Sequence, residues 1–222
     1  MLIILYFLVA GLIGYFWGAL PFGYWYVKKT KNVDLRLVSS GRTGGTNAYR
    51  AAGLSAGIVT GLGDVLKGAG SIWLAQLAVD ALAGEDWALR SWALAFTGVM
   101  AVVGHNWSIF LQWRGGAGTT PNVGWATALW PGVFPIAFVV MIGMLLGVGM
   151  ASVASLTVAV LLPVIFGIRY AMGLSPLAYL VGSIATALIV TWALRPNIKR
   201  IIEGNERVVG PRAKRLENKS KE

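Results

Sequence analysis

The sequence contains a run of 50 residues, from Thr119 to Ile168, without a single charged side chain. A membrane-crossing helix takes about 20 predominantly apolar residues, so this run is long enough for two long crossings or three short ones. The 222-residue chain has a mean hydropathy of +0.67 and is 56% hydrophobic, and only 13% of its residues are charged. Because lipid offers no partners for backbone polar groups, such crossings are helical. The sequence therefore predicts an all-α integral membrane protein.

The composition also narrows the possible chemistry. The chain has no cysteine and a single histidine, His105, which excludes a disulfide framework and argues against a multi-histidine metal centre. We therefore expect no metal and no other cofactor. The net charge of +10 is concentrated in residues 28–50 and 195–221, outside the apolar segments. This distribution is typical of loops that face anionic lipid, and we expect no nucleic-acid partner.

The basic residues predict the orientation in the membrane, because basic loops stay on the cytoplasmic side. The loop after the first span, the loop before Thr119 and the C-terminal tail should therefore all lie inside. Because the loop before Thr119 and the tail lie on the same side and one further span precedes the tail, the uncharged run must cross the membrane an odd number of times. We expect three crossings, with breaks near Pro131, Pro135 and residues 147–152. The other expected spans are Leu2–Tyr26, Asp64–Leu82, Trp87–Gly104 and Leu174–Leu194.

The resulting prediction is a multi-pass protein of the cell inner membrane. It has about seven transmembrane helices, with short or re-entrant segments, the N-terminus outside and the C-terminus inside. Residues 1–206 would form one membrane domain with its site at the cytoplasmic face, and residues 207–222 a basic cytoplasmic tail whose charged end frays. We expect the protein to be a monomer surrounded by membrane lipid.

The apolar stretch from Ala51 to Leu82 exceeds one span by about a third. We expect a short interfacial or re-entrant segment over Ala51–Gly63, with the true span beginning near Asp64. Asp64 and Lys67 would then lie at the cytoplasmic surface, three residues apart on one helix face. They would form either a structural ion pair or a pair that orients substrate-binding arginines.

A glycine-rich loop, Ser40–Arg50, follows the first span. Glycine lets backbone N–H groups approach an anion closely, hydroxyl and amide side chains donate to it, and arginine binds phosphate through two N–H groups. The loop therefore predicts a phosphate site, although it lacks the lysine and serine that end a Walker A loop. The alternative is an ordinary flexible loop. The candidate phosphate ligands are Ser40, Gly41, Gly44, Gly45, Thr46, Asn47 and Arg50.

A second polar loop runs from His105 to Gly118. Its glycines open the backbone, Arg114 supplies charge, and a helix beginning at Thr119 would direct free N–H groups at an anion. His105 is the one candidate imidazole base, but a lone histidine at a helix end is more often a hydrogen-bonding anchor. The glycines concerned are Gly115, Gly116 and Gly118.

The segment directly after the last span is a third candidate. It contains Asn197, Lys199, Arg200, Gly204 and Glu206. The alternative here is a basic juxtamembrane helix that binds anionic lipid. The predicted orientation brings both loops, the Asp64–Lys67 pair and this segment to one face, which indicates a single site.

These motifs resemble those of the bacterial acyl-phosphate:glycerol-3-phosphate acyltransferases, and the resemblance covers nearly the whole chain. Ser40–Arg50 is similar to that family's first signature, with Arg42 in place of an asparagine and Gly45 in place of an alanine. The other matching elements are Gly18–Tyr24, Asp64–Gly68, Gly104-His105 with Arg114–Gly118, and Asn197–Arg200 with Gly204–Glu206.

The resemblance implies an inner-membrane enzyme of seven helices that transfers an acyl group from acyl phosphate to the 1-hydroxyl of glycerol 3-phosphate. The products are 1-acylglycerol 3-phosphate (lysophosphatidic acid) and phosphate, in the first step of phospholipid synthesis. No metal and no covalent enzyme intermediate are implied, and a substrate phosphate can serve as the base. The implied catalytic residues are Ser40, Arg50, Arg114 and Asn197; the implied phosphate-binding residues are Gly41, Arg42, Gly44, Thr46, Asn47, Lys67, Gly115, Gly116 and Gly118; and Asp64, His105 and Glu206 support them.

Three positions depart from the family pattern. Ala117 stands where the family has a second lysine, Leu194 where it often has a histidine, and Ser108 where it has a proline. Loss of a lysine that faces phosphate costs several kcal/mol of transition-state stabilisation. Either Arg42 supplies the missing charge from the other loop, or the chain is a noncatalytic paralogue that binds lipid or phosphate. A second alternative is an organic-phosphate transporter, although transporters place their broken helices at mid-membrane.

Overall fold

The computed structural model describes residues 2–85 and 87–219, and within them every regular element is helical. Met1, Asp86 and residues 220–222, which the predicted domain and tail include, lie outside the described residues. The α-helices are α1 Leu2–Ala19, α2 Phe22–Lys31, α3 Gly45–Ala52, α4 Leu54–Ala83, α5 Arg90–Asn106, α6 Thr119–Leu129, α7 Val133–Gly147, α8 Ala151–Ala171, α9 Leu177–Ala193, α10 Arg195–Ile202 and α11 Gly210–Lys219, with single 3₁₀ turns at Leu35–Leu37 and Ile109–Leu111.

The first apolar segment is helical as predicted, with one break. α1 ends and α2 begins on either side of Leu20 and Pro21, because proline has no N–H group with which to continue a helix. α1 lies very close to α5. A Cβ atom added to Gly14 or Gly18 would lie 2.4 or 2.3 Å from a backbone carbonyl oxygen of α5. Small residues four positions apart allow this close approach of two apolar helices.

The predicted division of the next stretch at Asp64 is wrong. Gly53, with φ +84°, separates the short α3 from α4, and α4 then continues without a break over 30 residues. Asp64 and Lys67 therefore lie near the middle of a helix, 2% and 3% exposed, and not at the surface. Burial is tolerated because Lys67 Nζ lies 3.0 Å from Asp64 Oδ1 and also donates to the Leu20 carbonyl oxygen.

The uncharged run contains three helices, α6, α7 and most of α8, of which α8 is long and apolar enough by itself to cross a membrane. That the run makes three crossings stays a prediction. The first break, over residues 130–132, contains Pro131, and the second covers residues 148–150. Pro135 does not interrupt α7, because it lies in the first turn, where no intrahelical N–H donor is required.

The helices α4 to α9 run in alternating directions relative to one polar end of the bundle. The beginnings of α4, α6 and α8 and the ends of α7 and α9 surround a cavity at this end. Arg169, near the end of α8, lies over the ring of Trp130, which follows α6, with 4.2 Å between its Cζ atom and the ring centroid. This contact lies at the end of α6 and α8 remote from the cavity.

Four helical stretches of the described chain are long and apolar enough to cross a membrane. α9 and α10, bent by 61°, make a fifth if they count as one span, and α7 is a shorter apolar helix. The long stretches are Leu2–Lys31, Leu54–Ala83, Arg90–Leu111 and Ala151–Ala171.

The interior of the bundle is centred on α6. Trp125 is fully buried, stacks on Phe166 of α8 with ring centroids 6.0 Å apart, and donates its indole N–H to Asn122. The charged end from Arg212 to Glu222, which the sequence predicts to fray, is instead helical as far as it is described, because it belongs to α11, and Arg212 donates to the Val148 carbonyl oxygen. Docking against the α7–α8 turn stabilises a segment that composition alone would leave unfolded.

Candidate active site

A cavity of about 600 Å³ opens at the polar end of the bundle. Its lining divides into a polar part, contributed by the first loop, α3, α6, α8 and α10, and an apolar part between α4 and α7. The predicted site residues that line it are Ser40, Arg42, Gly44, Gly45, Thr46, Asn47, Arg50, His105, Asn197 and Glu206.

The first loop is organised by Asn47. The buried side chain of Asn47 donates to the carbonyl oxygens of Leu35, Val38 and Arg42, and its Oδ1 atom accepts from the Ser40 N–H group at 3.4 Å. Its amide hydrogens are therefore already used. Although Asn47 lines the cavity, it holds the loop in shape and is not free to bind phosphate, which corrects the prediction.

Gly41, unlike Asn47, does not line the cavity. Its φ is +68°, a left-handed conformation that glycine adopts at little cost, and its N–H group donates to the Val38 carbonyl oxygen at 2.9 Å. This glycine shapes the turn that precedes the site. The predicted contact between its amide and phosphate is not available in this structure.

The start of α3 faces the cavity. Gly44, which has no side chain to cap the helix, precedes α3 in an extended conformation, and Gly45 and Thr46 begin the first turn of α3. The first N–H groups of a helix carry partial positive charge and suit an anion. Arg50, one turn further on, is half-buried and lines the same cavity. Burial and the charge of Arg207 both lower the pKa of Arg50, while Glu206 acts in the opposite direction.

Arg42 extends across the cavity towards the end of α9, where its guanidinium donates to the Ala193 carbonyl oxygen. Burial lowers the pKa of Arg42 to about 10, and the positive charges of Arg200, Arg207 and Arg195 contribute to this shift. The side chain remains cationic at neutral pH. Arg42 therefore brings a positive charge, with like charges around it, to the cavity wall.

Glu206 is the centre of a buried hydrogen-bond network at the cavity wall. Its Oε1 atom accepts from Asn197 at 2.8 Å and from Ser152 at 3.0 Å, and its Oε2 atom accepts from Arg200 at 2.9 Å. Burial alone would raise the pKa of Glu206, but these hydrogen bonds outweigh it and hold the pKa below its ordinary value. The network fixes Asn197 against the cavity.

The glycines of the second loop make the loop fit closely against the end of α5. The N–H groups of Gly115 and Gly116 donate to the carbonyl oxygens of Asn106 and His105, each at 3.1 Å. A Cβ atom on Gly116 would lie 2.0 Å from His105 Nε2, and one on Gly118 would lie 2.6 Å from the Asn106 side chain. None of these three glycines lines the cavity. They position the loop, and the predicted phosphate contact through Gly115 and Gly116 amides is not available.

Three other predicted residues also lie away from the cavity lining. Arg114 is exposed, and its guanidinium donates at 3.4 Å to the Arg36 carbonyl oxygen. Lys67 and Asp64 pair with each other inside the bundle, and Asp64 Oδ1 lies 3.5 Å from His105 Nδ1. His105 lines the cavity with this pair behind it. The prediction that Lys67 binds phosphate is not supported, because both of its close contacts are internal.

The departures from the family pattern fall in two places. Ala117 and Leu194 both line the cavity, so the expected lysine and histidine are absent from the site itself. Ser108 is buried elsewhere, where its hydroxyl donates to the Ala19 carbonyl oxygen at 2.6 Å. The third departure therefore affects the end of α1 and not the cavity.

The helix α6 also begins at the cavity, at Thr119 as predicted. The residue before it, Gly118, has φ +88°, and Thr119 and Thr120 line the cavity. The buried hydroxyl of Thr119 has no partner among the described residues. The first turns of α3 and α6 therefore both present free donors to the same space.

The apolar part of the cavity lies between α4 and α7. Several of its residues are also exposed on the outside of the bundle, among them Leu54, Ile58 and Leu146. The cavity is therefore open sideways, towards the region that lipid would occupy. The residues of α4 and α7 that line it are Leu54, Gly57, Ile58, Gly61, Met141, Ile142, Leu145 and Leu146.

Sequence reasoning missed Ser152. This serine lies in the first turn of α8, lines the cavity and donates to Glu206. A serine within an uncharged, apolar run gives no local sign of a partner 54 residues away. The α7 wall was missed for the same reason, because apolar residues that line a cavity look like apolar residues that face lipid.

The comparisons with known proteins agree with this geometry. A sequence model of the family described as glycerol-3-phosphate acyltransferase matches residues 8–204. The chain belongs to the glycerol-3-phosphate acyltransferase family. A glycerol-3-phosphate acyltransferase of Rubrobacter xylanophilus is 36% identical over 206 residues, which cover 91% of this chain and 94% of the relative. One of Thermus thermophilus is 34% identical over 202 residues, with 91% and 94% coverage.

Two solved structures of the integral membrane glycerol 3-phosphate acyltransferase PlsY are also similar. The glycerol 3-phosphate form has a TM-score of 0.78 and 31% identity, and the match covers 92% of this chain and 96% of that one. The lysophosphatidic acid form has a TM-score of 0.76 and 29% identity, with 92% and 95% coverage. The predicted family, the enzyme class and the all-helical, multi-pass membrane fold are thereby confirmed.

Proposed function

We propose that this acyltransferase moves an acyl group from acyl phosphate to the 1-hydroxyl of glycerol 3-phosphate, giving lysophosphatidic acid and phosphate. The observation that carries the proposal is the division of the cavity. Its polar part holds Arg42, Arg50 and the first turns of two helices, and its apolar part opens sideways between α4 and α7. Such a cavity suits a substrate with a charged head and a long apolar chain.

The chemistry requires little beyond binding. Acyl phosphate is a mixed anhydride with a good leaving group, so the main task is to hold two mutually repelling phosphates close together. Guanidinium groups and helix N-termini supply the positive charge that this demands, and the same charge stabilises the oxyanion of the transition state. The proton of the attacking hydroxyl passes to a phosphate oxygen of a substrate. The protein then needs no side-chain base.

The cavity residues divide by role. Arg42 and Arg50 bind the phosphates, and Thr46 and Ser40 donate hydroxyl hydrogen bonds beside the first turn of α3. Asn197, held by Glu206, presents its remaining amide atoms to the substrate. Gly44 leaves the backbone open at the start of α3. Arg114 is exposed and donates to the Arg36 carbonyl oxygen, and we assign it no contact with substrate.

The proposal extends to the membrane. Seven passes would cross the bilayer, formed by α1, α4, α5, α7, α8 and α9 and by α6 together with the residues that flank it, with the N-terminus outside and the polar end of the bundle at the cytoplasmic face of the inner membrane. The basic segments support this orientation, because Lys28, Lys29 and Lys31 at the end of α2 and the basic tail belong to the same side. α6, with 11 residues, is long enough for about half of the hydrocarbon core.

The test uses the purified full-length chain in lipid nanodiscs with palmitoyl phosphate and glycerol 3-phosphate. We expect lysophosphatidic acid by mass spectrometry, and phosphate release in equal amount. Phosphate release that does not depend on glycerol 3-phosphate would indicate a phosphatase and contradict the proposal. Uptake of intact glycerol 3-phosphate into sealed proteoliposomes, without product, would instead indicate a transporter.

A further inference from the structure

The family model ends at Gly204 and the last matching motif ends at Glu206, yet the chain beyond them still forms part of the cavity wall. We call residues 205–212 the C-terminal strap. The strap is attached at the turn between α7 and α8, where the Val209 N–H donates to the Gly149 carbonyl oxygen at 2.8 Å and Arg212 donates to the Val148 carbonyl oxygen at 2.9 Å. Val209 is 8% exposed and, with Gly210, lines the cavity.

Arg207 connects the strap to the first loop on the other side of the cavity. Its Nη2 atom donates to the Ser39 carbonyl oxygen at 3.2 Å, directly before Ser40, which lines the cavity. The Arg207 side chain is half-buried and is not itself among the lining residues, but it lies at the cavity rim between Glu206 and Val209, which both line the cavity. Its positive charge acts on Arg42 and on Arg50, since it contributes to the lowered pKa of each.

The charges at this end do not balance. Five arginines act on one another here, Arg42, Arg50, Arg195, Arg200 and Arg207, but in the described chain the one carboxylate that acts among them is Glu206, which already pairs with Arg200. The remaining four guanidinium groups have no ion pair among the described residues. Like charges held together in a partly desolvated place are unfavourable unless an anion joins them.

We propose that Arg207 is a further substrate-binding residue, whose guanidinium at the cavity rim binds a phosphate group of one of the two substrates. The inference rests on the proposed function, because the ligand that it names is a phosphate of that reaction. Arg207 thus acts with Arg42 and Arg50, and the strap that carries it is part of the active site. The alternative is that Arg207 serves only to hold the Ser39 carbonyl oxygen.

The two roles are separated by substitutions that keep different properties of the side chain. Arg207→Gln keeps a donor for the Ser39 carbonyl oxygen and removes the charge, whereas Arg207→Lys keeps the charge and removes the planar pair of donors. Arg215→Gln is the matched control, because Arg215 is an exposed arginine of α11 outside the cavity. Glycerol 3-phosphate and palmitoyl phosphate are each titrated at saturating concentration of the other, in nanodiscs.

For Arg207→Gln we expect KM to rise on the order of tenfold for the substrate whose phosphate Arg207 binds, with a smaller rise for Arg207→Lys and none for Arg215→Gln. The titration that changes identifies the phosphate. Unchanged KM values for both substrates, or a lowered melting temperature with unchanged KM, would assign Arg207 a structural role and overturn the inference.

Binding measurements keep this result separate from failure of the proposed function. If the unmodified chain produced no lysophosphatidic acid, the reaction would be wrong, but equilibrium binding of each substrate to the chain and to Arg207→Gln would still decide the role of Arg207. Weaker binding of either substrate to the variant supports the inference, and equal binding of both refutes it.

Discussion

The most informative perturbation of this site moves a positive charge from Arg42 in the first loop to position 117 in the second loop. Arg42 stands where the family has asparagine, and Ala117 stands where it has a lysine, yet both residues line the same cavity. We therefore expect the Arg42 guanidinium to serve the phosphate that the missing lysine would serve. Arg42→Asn should lower kcat/KM, and the double variant Arg42→Asn/Ala117→Lys should recover most of it.

The expected loss of kcat/KM in Arg42→Asn follows from the protonation state of the Arg42 side chain. With a pKa of about 10, it is protonated at neutral pH despite its burial and its arginine neighbours. A hydrogen bond to a charged partner contributes about 1.5–3 kcal/mol. A loss of about 2 kcal/mol corresponds to roughly thirtyfold in kcat/KM. Recovery of activity through Ala117→Lys is a coupling between the two positions, so a double-mutant cycle measures it directly.

The assay is phosphate release from palmitoyl phosphate with saturating glycerol 3-phosphate, for the unmodified chain, both single variants and the double variant. Lys31→Asn, a charge change on the exposed end of α2, is the control and should have unchanged activity. If Arg42→Asn retained full activity, Arg42 would not bind substrate. If the double variant were no better than Arg42→Asn, the two positions would not be interchangeable and the reasoning would be refuted.

Three further predictions concern the residues that support the site. Glu206→Gln should remove a pH dependence of stability. Hydrogen bonds lower the Glu206 pKa below its usual 4.5, so the carboxylate stabilises the fold above that pH. Thermal melting of the unmodified chain, but not of the variant, should show this contribution disappearing as the pH falls through the lower, folded-state pKa. Asp64→Asn should destabilise the protein by about 3–5 kcal/mol, since it leaves the buried Lys67 charge unpaired, and an unchanged melting temperature would contradict the ion pair. Gly116→Ala should cost about 1–3 kcal/mol by displacing His105, as measured by chemical unfolding, whereas equal stability would show that the loop fits loosely.

The general architecture could be predicted from the sequence because lipid imposes simple rules. The uncharged run and the positions of the basic loops are sufficient to predict three helices between Thr119 and Ile168, and the three helices are present. The error at Asp64 has a physical cause. A charge within an apolar stretch usually marks the membrane surface, but Asp64 and Lys67 satisfy each other inside the bundle, and an ion pair three residues apart in sequence does not reveal how deeply it is buried.

The site was only partly predictable, because a motif gives residue types and not the use of each hydrogen bond. Ser40, Thr46 and Arg50 line the cavity as expected. The side chain of Asn47, from the same motif, donates its hydrogen bonds to three backbone carbonyl groups. The Gly116 N–H group donates to a fourth. Glycine-rich loops allow either close approach of an anion or close packing of the chain on itself, and the sequence does not distinguish the two.

The central claim is that guanidinium groups in this cavity draw two phosphates together, and Arg50 tests it most directly. It lines the cavity, and its side chain makes no hydrogen bond to another described residue. The measurement is glycerol 3-phosphate-dependent phosphate release from palmitoyl phosphate by Arg50→Ala and Arg50→Lys beside the unmodified chain. We expect Arg50→Ala to lose activity by about 100-fold or more and Arg50→Lys to retain part of it. Unchanged turnover by Arg50→Ala would contradict the account.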